Sequence, residues 1–446
     1  MKIPASPPPL SLDVFEGAMD RWLDAALRVN ASEDPYLPWE RFRFHTPPHG
    51  LTPTQWWVAT ALQRKGQRRK LPLTDLNGDS FSYALPDEVL RLATQVAAKA
   101  GGKIGMAEPV TNPATRETYV VRSLMEESIT SSQLEGAATT RRVAKEMLRT
   151  GREPRDKSEQ MIWNNYQAMQ FVLSHQGEPI TPGLVRELHS IVTFNTLDDP
   201  ANAGRLQDSG DARVYVATPD GDTLHTPPPV DELPSRLQAL CAFANATDGG
   251  GPWLHPILRA IAIHFMIGHD HYFVDGNGRL ARAVFYWSML NQGLWLSEFI
   301  TISTIIKRAP VQYAHAYLNT EYESDLTYFF IYHLRVLDRA FDELNDYLEA
   351  KVRQQQTVRS LLSERHTEFN HRQLAVVDRA LSDPAAEFTV ASHANTHHVT
   401  GVTARADLLA LAEAGILTRH KRGKAFVWRP APHAHATLGV GAATNS

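Results

Sequence analysis

From about residue 119 to 345 the apolar positions return at helical spacing, and almost nowhere do they alternate as strands would. The segment YVVRSLMEESITSSQLEG carries this period and ends at Gly136, a residue suited to closing a helix. The same period predicts helices over 156–175, 182–193, 231–246, 255–269, 279–291 and 310–319, and another across 325–350. One interval breaks it. Asp198 to Pro229 is rich in Gly, Asp, Thr and Pro and contains the β-branched run Arg213-Val214-Tyr215-Val216. That composition predicts a β-hairpin or extended flap inserted between helices.

The ends of the chain read differently. Residues 1–100 are mixed. WWVATALQRKGQRRK sets a Trp pair beside Arg64, Lys65, Arg68, Arg69 and Lys70, which suits a solvated helix end next to buried Trp rings better than an interaction patch. Pro86, Asp87 and Glu88 open a helix through VLRLATQVAAKA that Gly101-Gly102 stops. After a charged helical connector from Asp342 to His366, HRQLAVVDRALSD reads as a helix and VTGVTARADLLALAEAGIL as a turn and a helix. LTRHKRGKAFVWRP then gives two short strands around Lys421-Arg422-Gly423-Lys424. Helix, turn, helix and basic hairpin is the order of a winged helix-turn-helix. The small residues from about 431 to 446 read as a disordered tail.

A chain of 446 residues implies two or three domains. With 43% hydrophobic and 21% charged residues, its balance is that of a soluble globular protein. A net charge of −4 gives no global electrostatic case for nucleic acid. Cys241 is the only cysteine, which excludes an intramolecular disulfide and a cysteine-based zinc site. Its neighbours Ala239, Leu240, Ala242 and Phe243 suggest a buried thiol. MKIPASPPPLSLD has no apolar signal core and reads as an extended lead. No run approaches the roughly 18 apolar residues of a spanning helix, so a cytoplasmic location is expected.

The chemistry concentrates between His271 and Arg282. An apolar helix runs into a short loop, and a second apolar helix begins at about Arg279. Gly276-Asn277-Gly278 at a helix start can expose successive N–H groups, which together with the helix dipole form a phosphate-type anion site. Arg279 and Arg282 are three apart on that helix, so both are expected to reach one polyphosphate. Asp275 at the lip of the loop suits a magnesium ion shared with phosphate oxygens. His271 can accept a proton from an incoming hydroxyl. No Lys-Ser/Thr follows the glycines and no strand precedes them, which excludes a Walker loop and a dinucleotide fingerprint.

The joint pattern His271-Tyr272-Phe273-Val274-Asp275-Gly276-Asn277-Gly278-Arg279-Leu280-Ala281-Arg282 resembles the signature of the Fic family, most of whose members transfer AMP from ATP to Ser, Thr or Tyr hydroxyls. The likeness extends to the helix from His255-Pro256 and to ESDLTYFFIYHL near 323–334, covering roughly 120–345. It implies His271 as general base, Asp275 as the Mg²⁺ ligand, and Gly276, Asn277 and Gly278 as phosphate holders with Arg279 and Arg282 as cationic partners. Phe273 would anchor the loop in the core. Tyr272 stands where family members usually have Pro, and Ala281 where Gly is common. Neither change removes a reacting group.

Ser131-Ser132-Gln133-Leu134-Glu135-Gly136 is similar to the family's inhibitory motif, in which the glutamate pairs with the second motif arginine, here Arg282. Ser131 and Glu135, four apart, share a helical face. The resemblance also implies that the flap, through Val214, Tyr215 and Val216, pairs with the backbone of a target protein.

The expected architecture is therefore mainly α. An N-terminal helical region (1–110) leads into a catalytic domain (111–350), with the inhibitory helix at about 119–136 and the flap at about 210–229. A winged-helix domain follows at 365–430. The expected activity is a protein adenylyltransferase using ATP and Mg²⁺, acting on a target protein and on itself, and held down by Glu135. Two alternatives stay open. One is a DNA-binding regulator that uses Arg405, Arg419, Lys421, Arg422 and Lys424 of the C-terminal module. The other is a hydrolase that removes AMP. Target, acceptor residue and self-association are left open.

Overall fold

Helices dominated by apolar residues belong inside a protein, and two such helices form the centre of this one. In the computed structural model, which describes residues 2–15, 20, 35–48, 50–101, 113–213, 215–217, 221, 223–246, 253–364, 369–382, 386–422 and 425–434, the chain divides into two units, one ending at Leu344 and one beginning at Asn345.

In the first unit α1 (Pro53–Gln67) precedes the antiparallel pair β1 (Arg69–Thr74) and β2 (Ser80–Tyr83), and α2 (Asp87–Gly101) follows. Next come α3 (Pro113–Leu134), α4 (Arg141–Thr150), α5 (Lys157–Ser174) and α6 (Pro182–Thr193). A two-stranded flap, β3 (Val216–Ala217) and β4 (Thr223–His225), separates these from α7 (Leu233–Asn245). The central pair is α8 (Pro256–Asp270) and α9 (Asn277–Asn291), followed by α10 (Ile302–Arg308), α11 (Pro310–Glu323) and α12 (Thr327–Glu364).

Ile261, Ile263, Phe265 and Ile267 of α8 and Leu280, Phe285 and Met289 of α9 are completely buried. α9 packs against α3, α5 and α6, so the loop joining the central helices opens next to α3 and α6. Asp325, fully buried, starts α12: its carboxylate accepts from the Thr327 N–H (3.0 Å) and the Tyr36 hydroxyl (2.6 Å) and pairs with Arg68 at 2.7 Å. That network corrects the expected solvated helix end. Arg64 is also buried, stacked 3.8 Å from the Tyr36 ring and donating to Leu37 O, while Lys65 and Lys70 stay in water.

Other differences have local causes. The β1–β2 hairpin was not anticipated, because Pro72 masks the alternation of buried Leu71 and Leu73, although Asn77-Gly78 marks its turn. The lead is extended but docked: Pro4 and Phe15 are buried, and Lys2 O and Pro4 O accept from His315 and Tyr322. Helix α4 closes on Gly151, and its short amphipathic run was overlooked. Among the described residues no helix is long and apolar enough to cross a membrane.

The second unit continues from α12 into α13 (His371–Ser382), α14 (Val390–His397), α15 (Gly401–Glu413) and the antiparallel hairpin β5 (Leu417–Arg422) and β6 (Ala425–Pro430). Val377, Leu408, Leu411, Ile416 and Trp428 form its core. Thr389 and Thr400 cap α14 and α15 by accepting from Ser392 N and Thr403 N. Asp407 sits under α13, accepting from Arg372 (2.8 Å) and Asn370 (2.9 Å). Burial opposes its charge, but these partners hold its carboxyl down at about 2. Helix α14 was not foreseen, since only His393 of it is buried. Arg405, Arg419 and Lys421 are exposed, and Gly423 and Lys424 lie outside the described residues. Of the expected tail, Ala434 is buried in this core, and 435–446 lie outside the described residues.

Candidate functional site

Helix α8 ends because His271 turns left-handed, with φ 46° and ψ 61°. The exposed C-terminal carbonyls are then taken up from the base of the flap: Arg213 donates to Asp270 O (2.7 Å) and His271 O (2.8 Å). His271 Nδ1 lies 2.6 Å from Gly268 O. A carbonyl only accepts, so Nδ1 carries the proton and Nε2 keeps a lone pair. Burial, with the Arg213 guanidinium and the His225 ring beside it, holds the His271 pKa below the usual imidazole value.

The loop after His271 is fixed from beneath. Tyr272 is fully buried and donates to Asp270 at 2.6 Å, which gives the residue standing in for Pro a hydrogen-bonded role of its own. Phe273, also fully buried, stacks on the His189 ring at 3.7 Å. Asn277 closes the turn by accepting from Phe273 N (3.1 Å) and donating to Phe273 O (2.6 Å). Its side chain is thereby committed to the loop, and only its N–H remains for a ligand. His189 donates through Nε2 to Asp275 O (2.8 Å) and accepts from Gly204 N at Nδ1 (2.9 Å). Burial pushes its pKa down to about 4, so it is a neutral strut. Sequence reasoning overlooked His189 and Arg213, because nothing in a helical VRELHS or a flap Arg points at a loop some 60 or more residues away.

Gly276 caps α9 with φ 85°, and a Cβ there would meet Thr193 Cγ2 at 2.7 Å. Gly276→Ala is expected to cost about 1–3 kcal/mol, read as a fall of several degrees in the thermal unfolding midpoint. An unchanged midpoint would show that the loop does not depend on this turn.

The two arginines diverge, which corrects the expectation that they share a polyphosphate-facing side. Arg279 is 1% exposed and turns beneath the loop, donating to Val192 O at 2.7 Å with Asp275 at 3.9 Å. Arg282 turns toward α3. Its Nε donates to Ser131 Oγ (2.7 Å), and its Nη2 donates to Ser131 O (3.1 Å) and Glu135 Oε1 (2.7 Å). Burial disfavours its charge, but Glu135 more than offsets this, so the guanidinium stays protonated. Glu135 lies just beyond the last residue of α3, before Gly136 at φ 93°. Its carboxylate covers Gly278 so closely that a Cβ on that glycine would collide with it.

These groups open onto one cavity of about 390 Å³. Glu135, His271, Asp275, Gly276, Asn277, Gly278 and Arg282 line it, together with Val216 of the flap, and Arg279 does not. Tyr313 and Tyr317 of α11 form the far wall. The Tyr313 hydroxyl lies 2.9 Å from His264 Nε2. Tyr215 is exposed on the flap, and Val214 lies outside the described residues. Asp275 presents a half-exposed carboxylate at the mouth of the Gly276–Gly278 nest, Oδ1 accepting from Gly276 N at 2.5 Å. One hard oxygen donor beside a phosphate-type nest fits magnesium, which is commonly held by one or two carboxylates plus substrate phosphates.

Comparison with known proteins agrees in kind. Residues 179–289 match the model of the Fic/DOC family. The Protein adenylyltransferase Fic of Nematostella vectensis is 27% identical over 179 residues, covering 40% of this chain and 37% of that protein. The match thus spans little more than a third of that relative's length. The crystal structure of a Fic family protein from Desulfovibrio desulfuricans superposes with a TM-score of 0.52 at 18% identity, covering 78% of this chain and 98% of that one. This last likeness is one of fold.

Proposed function

We propose that this chain, which carries a Fic/DOC family domain at residues 179–289, transfers AMP from ATP to a hydroxyl group of a protein and is held down by its own Glu135. The observation that carries the reading is the convergence in one cavity of a neutral histidine, a backbone anion nest and an arginine already occupied by a carboxylate.

In this reading the ATP phosphates lie over the N–H groups at the start of α9, where the helix dipole favours anions. Arg282 contributes the cationic contact, while Arg279 supports the loop from below through Val192 O. His271 Nε2 takes the proton of the acceptor hydroxyl as its oxygen attacks the α-phosphorus. The bond from that phosphorus to the β-phosphate oxygen breaks, and diphosphate leaves. Magnesium, held by Asp275 and the phosphates, would neutralise charge that develops on the leaving group. The flap strand at Val216 offers backbone for an extended target segment to pair with, which sets register without reading side chains.

The test is intact-mass analysis after incubation with Mg-ATP, for the wild type, Glu135→Gly and the pair combined with lysate. An AMP adduct on the protein or on lysate proteins is expected. Its absence in every arm would sink the reading, and AMP release from a pre-modified protein would favour hydrolysis.

The protonation of His271 adds a pH prediction. Its lowered pKa means the base form persists to more acid pH than an ordinary imidazole allows. The acid limb of kcat/KM is expected to have its midpoint below about 6.5. A midpoint above 7 would show that another group is the base.

A further inference from the structure

On the flap side of the cavity, three side chains unused by the proposed chemistry meet from three separate elements. His225 ends β4, His269 is in the last turn of α8, and Glu321 is in the last turn of α11. One ring nitrogen of each histidine and one carboxylate oxygen of Glu321 all lie within 4.8 Å of one another. Both histidines are buried, and Glu321 is partly exposed at the cavity wall.

The surroundings of the two rings set their free nitrogens. His225 Nε2 lies 2.7 Å from His269 O, a contact in which only the nitrogen can donate. Its lone pair therefore sits on Nδ1 in the neutral ring. That nitrogen is buried and faces Glu321 Oε1 at 2.9 Å, a contact that an ion would bridge. His269 Nδ1 lies 3.1 Å from Asp270 Oδ1, a carboxylate also held by Arg236 and Tyr272. A carboxylate behind a histidine fixes its tautomer and makes the opposite nitrogen a better ligand. Each ring thus has one nitrogen anchored by an acceptor and one left to give.

We propose that His225, His269 and Glu321 form a binding site for a zinc-class divalent transition ion, separate from the magnesium at Asp275. Two imidazoles and one carboxylate are a donor set zinc takes with a fourth position open, at about 2.0–2.2 Å from each ligand atom. Ligand atoms of a tetrahedral site are about 3.3 Å apart at such lengths; His225 and Glu321 are near that spacing at 2.9 Å, and the full set, within 4.8 Å, closes on the ion by side-chain movement. Magnesium, which prefers oxygen and keeps its waters, is a poor match for two imidazoles. The ion would bolt the flap strand to α8 and α11. The His225 and His271 rings are 6.2 Å apart between centroids, so the bolt stands beside the proposed base. The site does not depend on the AMP-transfer reading, since zinc alone probes it.

The experiment is calorimetric titration of zinc chloride into tag-free, chelator-stripped full-length protein without nucleotide, repeated in a millimolar excess of magnesium. Binding of about one equivalent, unaffected by magnesium, is expected. Glu321→Ala and His225→Ala should each weaken it by at least about tenfold. Cobalt substituted for zinc should give the intense visible bands of a low-coordinate site. Glu321 lies at the cavity wall, so its variant is the one least exposed to a folding defect, and the wild type's zinc-dependent rise in melting temperature is a second readout. No saturable binding, or binding that both variants retain at wild-type strength, would overturn the proposal. It would leave His225 as an imidazolium paired directly with Glu321.

Discussion

Replacing Glu135 with glycine is expected to raise AMP incorporation about ten- to a hundredfold. Arg282 is the cation of the cavity, and in the resting protein its Nη2 is given to Glu135 Oε1 at 2.7 Å. A charge-assisted hydrogen bond of this kind is worth about 1.5–3 kcal/mol, and each 1.4 kcal/mol is a factor of ten. In the proposed reading a nucleotide phosphate has to displace that carboxylate, and until it does, two anions compete for one guanidinium beside Gly278, which the Glu135 carboxylate crowds. The substitution leaves the fold alone: Glu135 lies beyond the end of α3, and its side chain is partly exposed. Ser131 still holds Arg282 through Oγ and its carbonyl, so the guanidinium keeps its direction. Glu135→Gln, which removes the charge and keeps the bulk, should fall between wild type and Glu135→Gly. The measurement is incorporation of labelled AMP at fixed ATP. Equal incorporation in all three proteins would mean that this carboxylate does not restrain the site.

How much of this was visible beforehand depends on whether a role is local or long-range. The central helices were legible because apolar residues dominate α8 and α9, and the loop between them because glycines, Asp275 and His271 are contiguous. Glu135 was legible through a hexapeptide and its spacing from Ser131. The divergence of Arg279 and Arg282 was not. Helical spacing puts residues three apart on one face, but it cannot know that Val192 O waits beneath the loop for Arg279 while Ser131 waits above for Arg282. His189 and Arg213 were invisible for the same reason. Each acts on a loop more than 50 residues away, and neither carries a local pattern. The β1–β2 hairpin and α14 were hidden by weak periodicity, since a proline interrupts the first and the second buries only His393.

His271→Ala should reduce AMP transfer by about a hundred- to ten-thousandfold, the range a positioned general base contributes, and should do so most visibly in the Glu135→Gly background. The orientation of the His271 ring is already determined. Nδ1 is committed to Gly268 O at 2.6 Å, so the ring cannot turn without leaving a carbonyl at the end of α8 unpaired. Nε2 is then the only basic atom of the residue, and the cavity that His271 lines is also lined by Gly276, Asn277 and Gly278. Two other imidazoles stand near enough to be suspected. His189 is beneath the loop with both nitrogens engaged, and its ring is buried against Phe273. His225 gives its Nε2 proton to His269 O and faces Glu321 with the other nitrogen. Neither presents a free lone pair beside the Gly276–Gly278 N–H groups. Nucleotide affinity is a separate matter, since in the proposed reading Arg282 and the backbone N–H groups, not His271, hold the phosphates. Equilibrium binding of ATP to Glu135→Gly and to Glu135→Gly/His271→Ala should therefore agree within a few-fold, while transfer separates them by orders of magnitude. Comparable transfer rates in the two proteins would remove His271 from the base role and direct attention to a water or to Glu321.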